Sequence, residues 1–210
     1  MSFIKSIIQS SGEISLSKFC GEFKIASEPD LFSGQGKIIC FVDVETTGKN
    51  RQDDGIVEVA VKSVSINAQS GEIISINNQY ESFNDPGIPI SEEASAVNGI
   101  TDEMISGKHI DWEIVEKIFN STELVVSHNA SFDRAFLDRV LPESKKKLWA
   151  CSINDIDWML RGFKNVKQEL LCIWHGFYYD SHRAMNDVDA LIYLLTHDVY
   201  SDNIPVLELI

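Results

Sequence analysis

The sequence predicts an α/β domain in which helices flank a mixed sheet of five strands. Segments with strand character come first along the chain, and helical patterns dominate later. A near-continuous apolar run at residues 37–42 is typical of a central strand buried on both faces. The next two extended segments, 56–64 and 73–83, are joined by a short polar connection. A connection of that kind favours antiparallel pairing of the two strands.

The later elements follow from shorter patterns. Apolar residues at 124–126 predict another buried strand, and residues 148–151 predict a short fifth one. Helices are predicted around residues 91–119, 132–140, 152–161, 165–174 and 184–200. We expect residues 1–36 to be an accessory element packed on a main domain, residues 37–210.

Composition indicates an ordinary soluble domain. The chain has 210 residues, of which 44% are hydrophobic and 24% are charged. Its four cysteines include no CxxC pair, which favours free thiols in a reducing compartment over a zinc site. No run approaches the roughly 18 apolar residues that a membrane span needs. The expected location is the cytoplasm, with no membrane partner.

The net charge of −14 argues against broad, non-specific binding to nucleic acid, because that binding depends on Lys and Arg contacts to phosphates. The same net charge is compatible with a small local site that binds nucleic acid. Part of the negative excess lies in three short segments, residues 43–48, 128–133 and 182–187, which together carry four carboxylates and two histidines. Carboxylates gathered by a fold repel one another, so such a site requires a cation.

Asp43 and Glu45 stand two residues apart at the end of the first predicted strand. Side chains at i and i+2 point to the same side, with Cα atoms about 6–7 Å apart at roughly 3.3 Å per residue. The pair can therefore converge on one metal ion or on two neighbouring ions. The alternative is a solvated strand end before a turn.

Asp133 and Asp187 each lie near the apolar face of a predicted helix. Asp133 shares a face with Phe136 and Leu137, where a carboxylate is costly unless something compensates for it. A capping role in the first helical turn is the alternative. Asp187 lies about 40–60° from the buried stripe of its helix. His182 would be about 140° from Asp187 on an ideal helix, so the two converge only if His182 lies on the entering loop.

Together the three segments resemble the motifs of the DnaQ-like 3′–5′ exonucleases of the DEDDh type, similar to the proofreading exonuclease of bacterial replicative polymerases. The motifs are Phe-Val-Asp43-Val-Glu45-Thr-Thr-Gly, Val-Ser-His128-Asn-Ala-Ser-Phe-Asp133 and His182-Arg-Ala-Met-Asn-Asp187. The resemblance extends from about residue 37 to 200. Arg183, four residues before Asp187, separates the chain from the sister subtype with Tyr-x-x-x-Asp.

The resemblance implies a ribonuclease-H-like fold and two divalent cations, Mg²⁺ or Mn²⁺. Asp43, Glu45 and Asp187 would hold one cation, and Asp43 would bridge to the second with Asp133 nearby. His182 would be the general base, which suits its ordinary pKa near physiological pH. The implied products are nucleoside 5′-monophosphates.

The resemblance also implies contacts to the terminal nucleotide. The candidates are Thr46, Thr47, Asn129, Asn98 and Glu93. Many members of the family carry histidine at the position of Asn98, which is a departure in this chain.

The residues leave the natural substrate open. DNA with a single-stranded or frayed 3′ end is favoured. The alternatives are an exoribonuclease that acts on RNA ends or short oligonucleotides, and a binding module that has lost catalysis. Any polymerase partner is expected to be a separate chain, and the choice between monomer and homodimer stays open.

Overall fold

A mixed sheet of five strands forms the centre of the molecule, as predicted. The computed structural model describes residues 15–26, 36–67 and 70–196. The sheet strands, in the spatial order β4-β3-β2-β5-β6, are β2 (Gly36–Thr46), β3 (Ile56–Asn67), β4 (Ile73–Phe83), β5 (Leu124–Ser127) and β6 (Leu148–Cys151). The antiparallel pairing of β3 with β4, which the short connection predicts, is confirmed. β2 also pairs antiparallel with β3, whereas β5 is parallel to both β2 and β6.

Six helices of the described chain pack around this sheet. They are α1 (Glu92–Asn98), α2 (Asp102–Ile105), α3 (Trp112–Asn120), α4 (Ala130–Val140), α5 (Gln168–Trp174) and α6 (Ala184–Thr196). Residues alternate between the two faces along β2. Ile39 and Phe41 belong to the same core cluster as residues of α5 and α6, and Cys40 and Val42 belong with residues of α3 and α4. β2 is therefore buried on both faces, as its apolar run predicts.

Two helical predictions need correction. The stretch at 91–119 is three short helices, because Gly99 and Gly107 adopt φ of 69° and 68° and interrupt it. The predicted helix at 152–161 is wrong, since those residues form turns. Asp155 accepts a hydrogen bond from the Cys151 N–H, and Asp157 accepts one from Leu160 N–H. Such side-chain bonds to the backbone compete with helix formation.

Three smaller expectations concern helix faces and ends. The helix predicted at 165–174 begins only at Gln168. The buried stripe of α4 includes Phe136 and Leu137, but Val140 is exposed. The described part of the helix predicted to reach residue 200 ends at Thr196.

Residues 15–26 lie against the main domain. Strand β1 (Ser17–Lys18) pairs in parallel with β7 (Phe177–Tyr178), and the Phe19 ring stacks on Tyr193 with centroids 4.5 Å apart. Residues 1–14 and 27–35 of the predicted accessory element lie outside the described residues. All four cysteines are free thiols, as expected. No helix in the described part of the chain is long and apolar enough to cross a bilayer.

Candidate active site

Asp43 and Glu45 lie near the carboxyl end of β2, the central strand of the sheet. They follow Ile39 and Phe41 on the same face of β2, which α6 covers. The register of β2 with β5 ends at Phe41, so both carboxylates lie beyond the paired part of the two parallel strands. Clefts at the carboxyl ends of such strands are common ligand sites.

Asp187 completes an acidic triad with these two residues. It lies in the first turn of α6, which packs against β2. One carboxylate oxygen from each of Asp43, Glu45 and Asp187 lies within 4.8 Å of the other two. The fold thus gathers side chains that are more than 140 residues apart in the sequence.

Asp133 approaches from the opposite helix layer. It is 2% exposed in the first turn of α4 and accepts hydrogen bonds from the Val44 N–H, at 3.2 Å, and the Ser127 hydroxyl. Its charge is the largest contribution, after burial, to the raised pKa of Asp43. Asp133 is therefore the fourth acid of the cluster, although it lies outside the triad.

Burial makes the four acids hard to ionise together. It raises the pKa of Asp43 well above its usual range and raises the pKa of Asp187. It raises the pKa of Glu45 to about 7, with a further contribution from the negative charge of Asp187. The pKa of Asp133 rises to about 7, also through burial, although its hydrogen bond from Ser127 opposes the rise. Ionised acids so close together need positive charge beside them.

A divalent cation fits this donor set. The triad offers only carboxylate oxygens, the hard ligands that Mg²⁺ and Mn²⁺ prefer. The neighbouring guanidinium of Arg183 is already paired with Glu58, with Nη2 to Oε1 at 2.7 Å. Asp43, Glu45 and Asp187, three of the four acids predicted as metal ligands, are thus close enough to one another to share a cation.

His182 lies on the loop that enters α6, as its five-residue spacing to Asp187 requires. Its φ of 65° is in the left-handed region, which is uncommon for residues other than glycine. The Nε2 atom lies 3.0 Å from Glu169 Oε1, and the side chain is 44% exposed. Glu169, in the first turn of α5, is a neighbour that the sequence analysis missed.

His128 has a structural environment despite its place in the second motif. Its Nδ1 pairs with the Ser152 hydroxyl and its Nε2 with the Val166 carbonyl, both at 2.7 Å. Burial lowers the pKa of His128 to about 4, so the ring stays neutral. It joins the end of β5 to the loop before α5.

The side chains predicted to contact the substrate differ in burial and in the hydrogen bonds they already make within the protein. The Thr47 hydroxyl is buried, donating to Asp54 and accepting from the Gly55 N–H, and the Thr46 hydroxyl donates to the Gly48 carbonyl. Asn98 is buried and hydrogen-bonds to Glu45, beside the triad.

Two further candidates are exposed. Asn129 lies just before α4 with φ of 73°, and Glu93 lies in the first turn of α1. Within the site, Asn98 is therefore the candidate with a direct contact to a triad residue.

Glu58, Gln168 and Tyr179 are site neighbours that the sequence analysis missed. Glu58 is buried on β3 directly opposite Glu45, and Tyr179 donates a hydrogen bond to Asp187. A charged residue inside the apolar run of β3 is the one signal that sequence reading offered for Glu58. No comparable pattern marks the other two.

Comparison with known proteins places the chain in a family. The RNase_T family model, described as exonuclease, matches residues 40–195. The chain therefore belongs to the exonuclease family, as a DnaQ-like 3′–5′ exonuclease domain with the ribonuclease-H-like sheet that the motifs imply.

Curated relatives are far longer than this chain. DNA polymerase III PolC-type from Listeria innocua is 32% identical over 163 residues, which are 74% of this chain and 11% of that protein. The Bacillus subtilis protein of the same name is 30% identical over 161 residues, 73% of this chain and 11% of the relative. The similarity thus concerns one part of those polymerases.

Solved structures show the same fold. Exonuclease X in complex with 5′-overhanging duplex DNA is 26% identical with a TM-score of 0.55, over 81% of this chain and 99% of the other. Escherichia coli exonuclease I in complex with a dA16 oligonucleotide has a TM-score of 0.64 at 16% identity, over 76% of this chain and 40% of the other.

Proposed function

We propose that this chain hydrolyses the 3′-terminal phosphodiester bond of a nucleic acid, preferably DNA, and releases nucleoside 5′-monophosphates. The observation that carries the proposal is the triad of Asp43, Glu45 and Asp187, with ligand oxygens within 4.8 Å of one another. The preference for DNA is supported by the PolC-type relatives and by the DNA in the exonuclease X complex.

The acids define two cation positions in this proposal. Asp43, Glu45 and Asp187 would hold one Mg²⁺ or Mn²⁺, and Asp43 together with Asp133 would hold the other. Bound cations of this kind lower the pKa of water and neutralise charge that develops on a phosphate. The hydrogen bonds from Val44 and Ser127 keep the Asp133 carboxylate in place at the second position.

His182 acts as the general base. An ionised Glu169 can only accept a hydrogen bond, so the Nε2 atom beside it carries the proton of the neutral ring. Nδ1 is then the basic nitrogen that takes the proton from the attacking water. Glu169 stabilises the resulting imidazolium, as the aspartate does in a Ser-His-Asp catalytic triad.

The terminal nucleotide binds beside the triad. Asn98 and Glu93 of α1 contact it from one side, and Asn129 supports the same pocket from the start of α4. Thr46 and Thr47 contribute through their backbone, because both hydroxyls are engaged within the protein. The net charge of −14 favours a substrate that is bound at its end over one that is bound along a long duplex.

End-labelled strands test this function. DNA and RNA of the same sequence, labelled at the 5′ end and incubated with Mn²⁺, should shorten stepwise from the 3′ end, the DNA faster. The Asp43→Asn variant is the inactive control. Faster loss of RNA would favour the exoribonuclease alternative, and intact strands of both kinds would contradict the proposal and favour a binding module.

We further propose that the domain acts together with a replicative polymerase, because its curated relatives are polymerases that include a similar region. Gel filtration with the replicative polymerase of the same organism tests the association. Co-elution supports it, and separate elution at micromolar concentration contradicts it. The same experiment on the chain alone distinguishes monomer from homodimer.

A further inference from the structure

Both carboxylate oxygens of Asp187 are held by hydrogen bonds from the protein. The Tyr179 hydroxyl donates to Oδ1 at 2.7 Å, and the backbone N–H of Arg183 donates to Oδ2 at 3.1 Å. The second bond is local to the first turn of α6, whereas Tyr179 comes from the segment before it. The orientation of the carboxylate therefore depends on a side chain outside the three acidic motifs.

Gln168 orients the Tyr179 hydroxyl in turn. Its Nε2 group donates to Tyr179 Oη at 3.0 Å and to the Asp187 carbonyl at 2.8 Å. An amide nitrogen has two protons, one for each acceptor. Because the hydroxyl accepts from Gln168, its own proton is directed to Asp187.

The hydrogen-bond geometry makes Tyr179 the donor to Asp187, since its hydroxyl accepts from Gln168 and has one proton left to give. The spacing of eight residues before Asp187 differs from the four-residue spacing of the tyrosine subtype. The contact to Asp187 is thus of a different kind from a catalytic tyrosine in that motif.

We propose that Tyr179, directed by Gln168, is a positioning residue that fixes Asp187 for binding a divalent cation. The inference rests on the proposed function, since it takes Asp187 as a metal ligand. Hydrogen-bond partners that orient metal ligands are worth about 10–100-fold in affinity. A carboxylate already held in place loses less freedom when the ion binds.

The test removes one oxygen atom and measures metal binding without substrate. Tyr179→Phe should weaken Mn²⁺ binding about 10-fold, measured by calorimetric titration of the full chain. The matched control is Tyr178→Phe at the adjacent, exposed tyrosine, which should bind Mn²⁺ as the parent does. Unchanged Mn²⁺ affinity in Tyr179→Phe, with the protein folded by circular dichroism, would overturn the inference.

A second variant covers the case in which Tyr179→Phe does not fold. Gln168→Met removes the donors at similar volume and should weaken Mn²⁺ binding in the same direction. The double variant should lose less affinity than the two single losses combined, since both act on one carboxylate. Parent-like Mn²⁺ affinity in Gln168→Met, or additive losses, would contradict the coupling through Tyr179.

The outcomes separate this inference from the proposed function. Mn²⁺ binding that depends on Tyr179, in a chain that leaves all labelled strands intact, supports the positioning role and contradicts the exonuclease activity. Normal strand shortening, together with an Mn²⁺ affinity that Tyr179→Phe leaves unchanged, supports the exonuclease activity and contradicts the positioning role.

Discussion

Arg183 forms a bidentate ion pair with Glu58, a carboxylate that is 1% exposed and lies directly across the sheet from Glu45. Like charges placed opposite each other on paired strands are unfavourable. The guanidinium compensates Glu58, and the Ala184 N–H adds a further hydrogen bond at 3.1 Å. The ion pair thus compensates the charge of a fifth acid beside the triad and joins the start of α6 to β3.

Arg183→Met should destabilise the metal-free protein by about 2–3 kcal/mol. Removing one partner of a fully buried pair costs about 3–5 kcal/mol, and the effect is reduced here because Arg183 is 41% exposed. Urea unfolding in EDTA measures the change. Lys37→Met, which breaks the exposed Lys37–Glu123 pair, is the control and should cost less than about 1 kcal/mol. Equal losses in the two variants would contradict a special role for the Arg183–Glu58 pair.

His182→Ala should lower the turnover of a labelled strand by about 10²–10⁴-fold, the usual range for a general base. Mn²⁺ binding should persist, because the four acids remain. Single-turnover rates and calorimetric titration provide the two measurements. His109→Ala, at an exposed histidine on another loop, should leave both unchanged. Near-normal turnover in His182→Ala would exclude the assignment of the base.

Glu169→Gln should lower turnover about 10-fold with little change in KM or in Mn²⁺ affinity. Glutamine still accepts a hydrogen bond from His182 Nε2, but it no longer stabilises a positive ring. Glu113→Gln, at an exposed acid on α3, is the matched control. If turnover is unaffected while the strand is still shortened, Glu169 has no part in proton transfer.

The metal-free protein should lose stability as the pH rises. Burial raises the pKa of Asp43 and Asp187, and that of Glu45 to about 7, so the folded state holds protons that the unfolded chain releases at lower pH. The folded state therefore binds more protons between about pH 4 and 7, and unfolding becomes easier through that window. In EDTA, the free energy of unfolding should be higher at about pH 5 than at about pH 8.

Divalent cations should reverse this loss, because they stabilise the ionised carboxylates. The melting temperature at about pH 8 should rise on addition of Mg²⁺ or Mn²⁺. An Asp43→Asn/Asp187→Asn double variant should show a weaker dependence on pH and on metal. A melting temperature indifferent to metal in the parent chain, with intact activity, would argue against the acid cluster as a cation site.

Much of the architecture follows from local patterns. The apolar run of β2 and the short connection between β3 and β4 predict strands that the structure contains. The segment at 152–161 shows where such patterns fail. Its apolar residues suggest a helix, but Asp155 and Asp157 bond to the backbone and favour turns.

The acids and the histidine of the candidate site can be selected from the sequence alone, because each lies in a short motif whose spacing reflects a strand end or a helix start. The residues that surround them are known only from the folded structure. Glu58 and Arg183 are 125 residues apart, and no local period relates them. Tyr179, Gln168 and Glu169 reach the site only because α5 and α6 pack on the same face of the sheet. Those contacts depend on packing between distant segments of the chain, whereas each motif is recognisable from residues that are adjacent in the sequence.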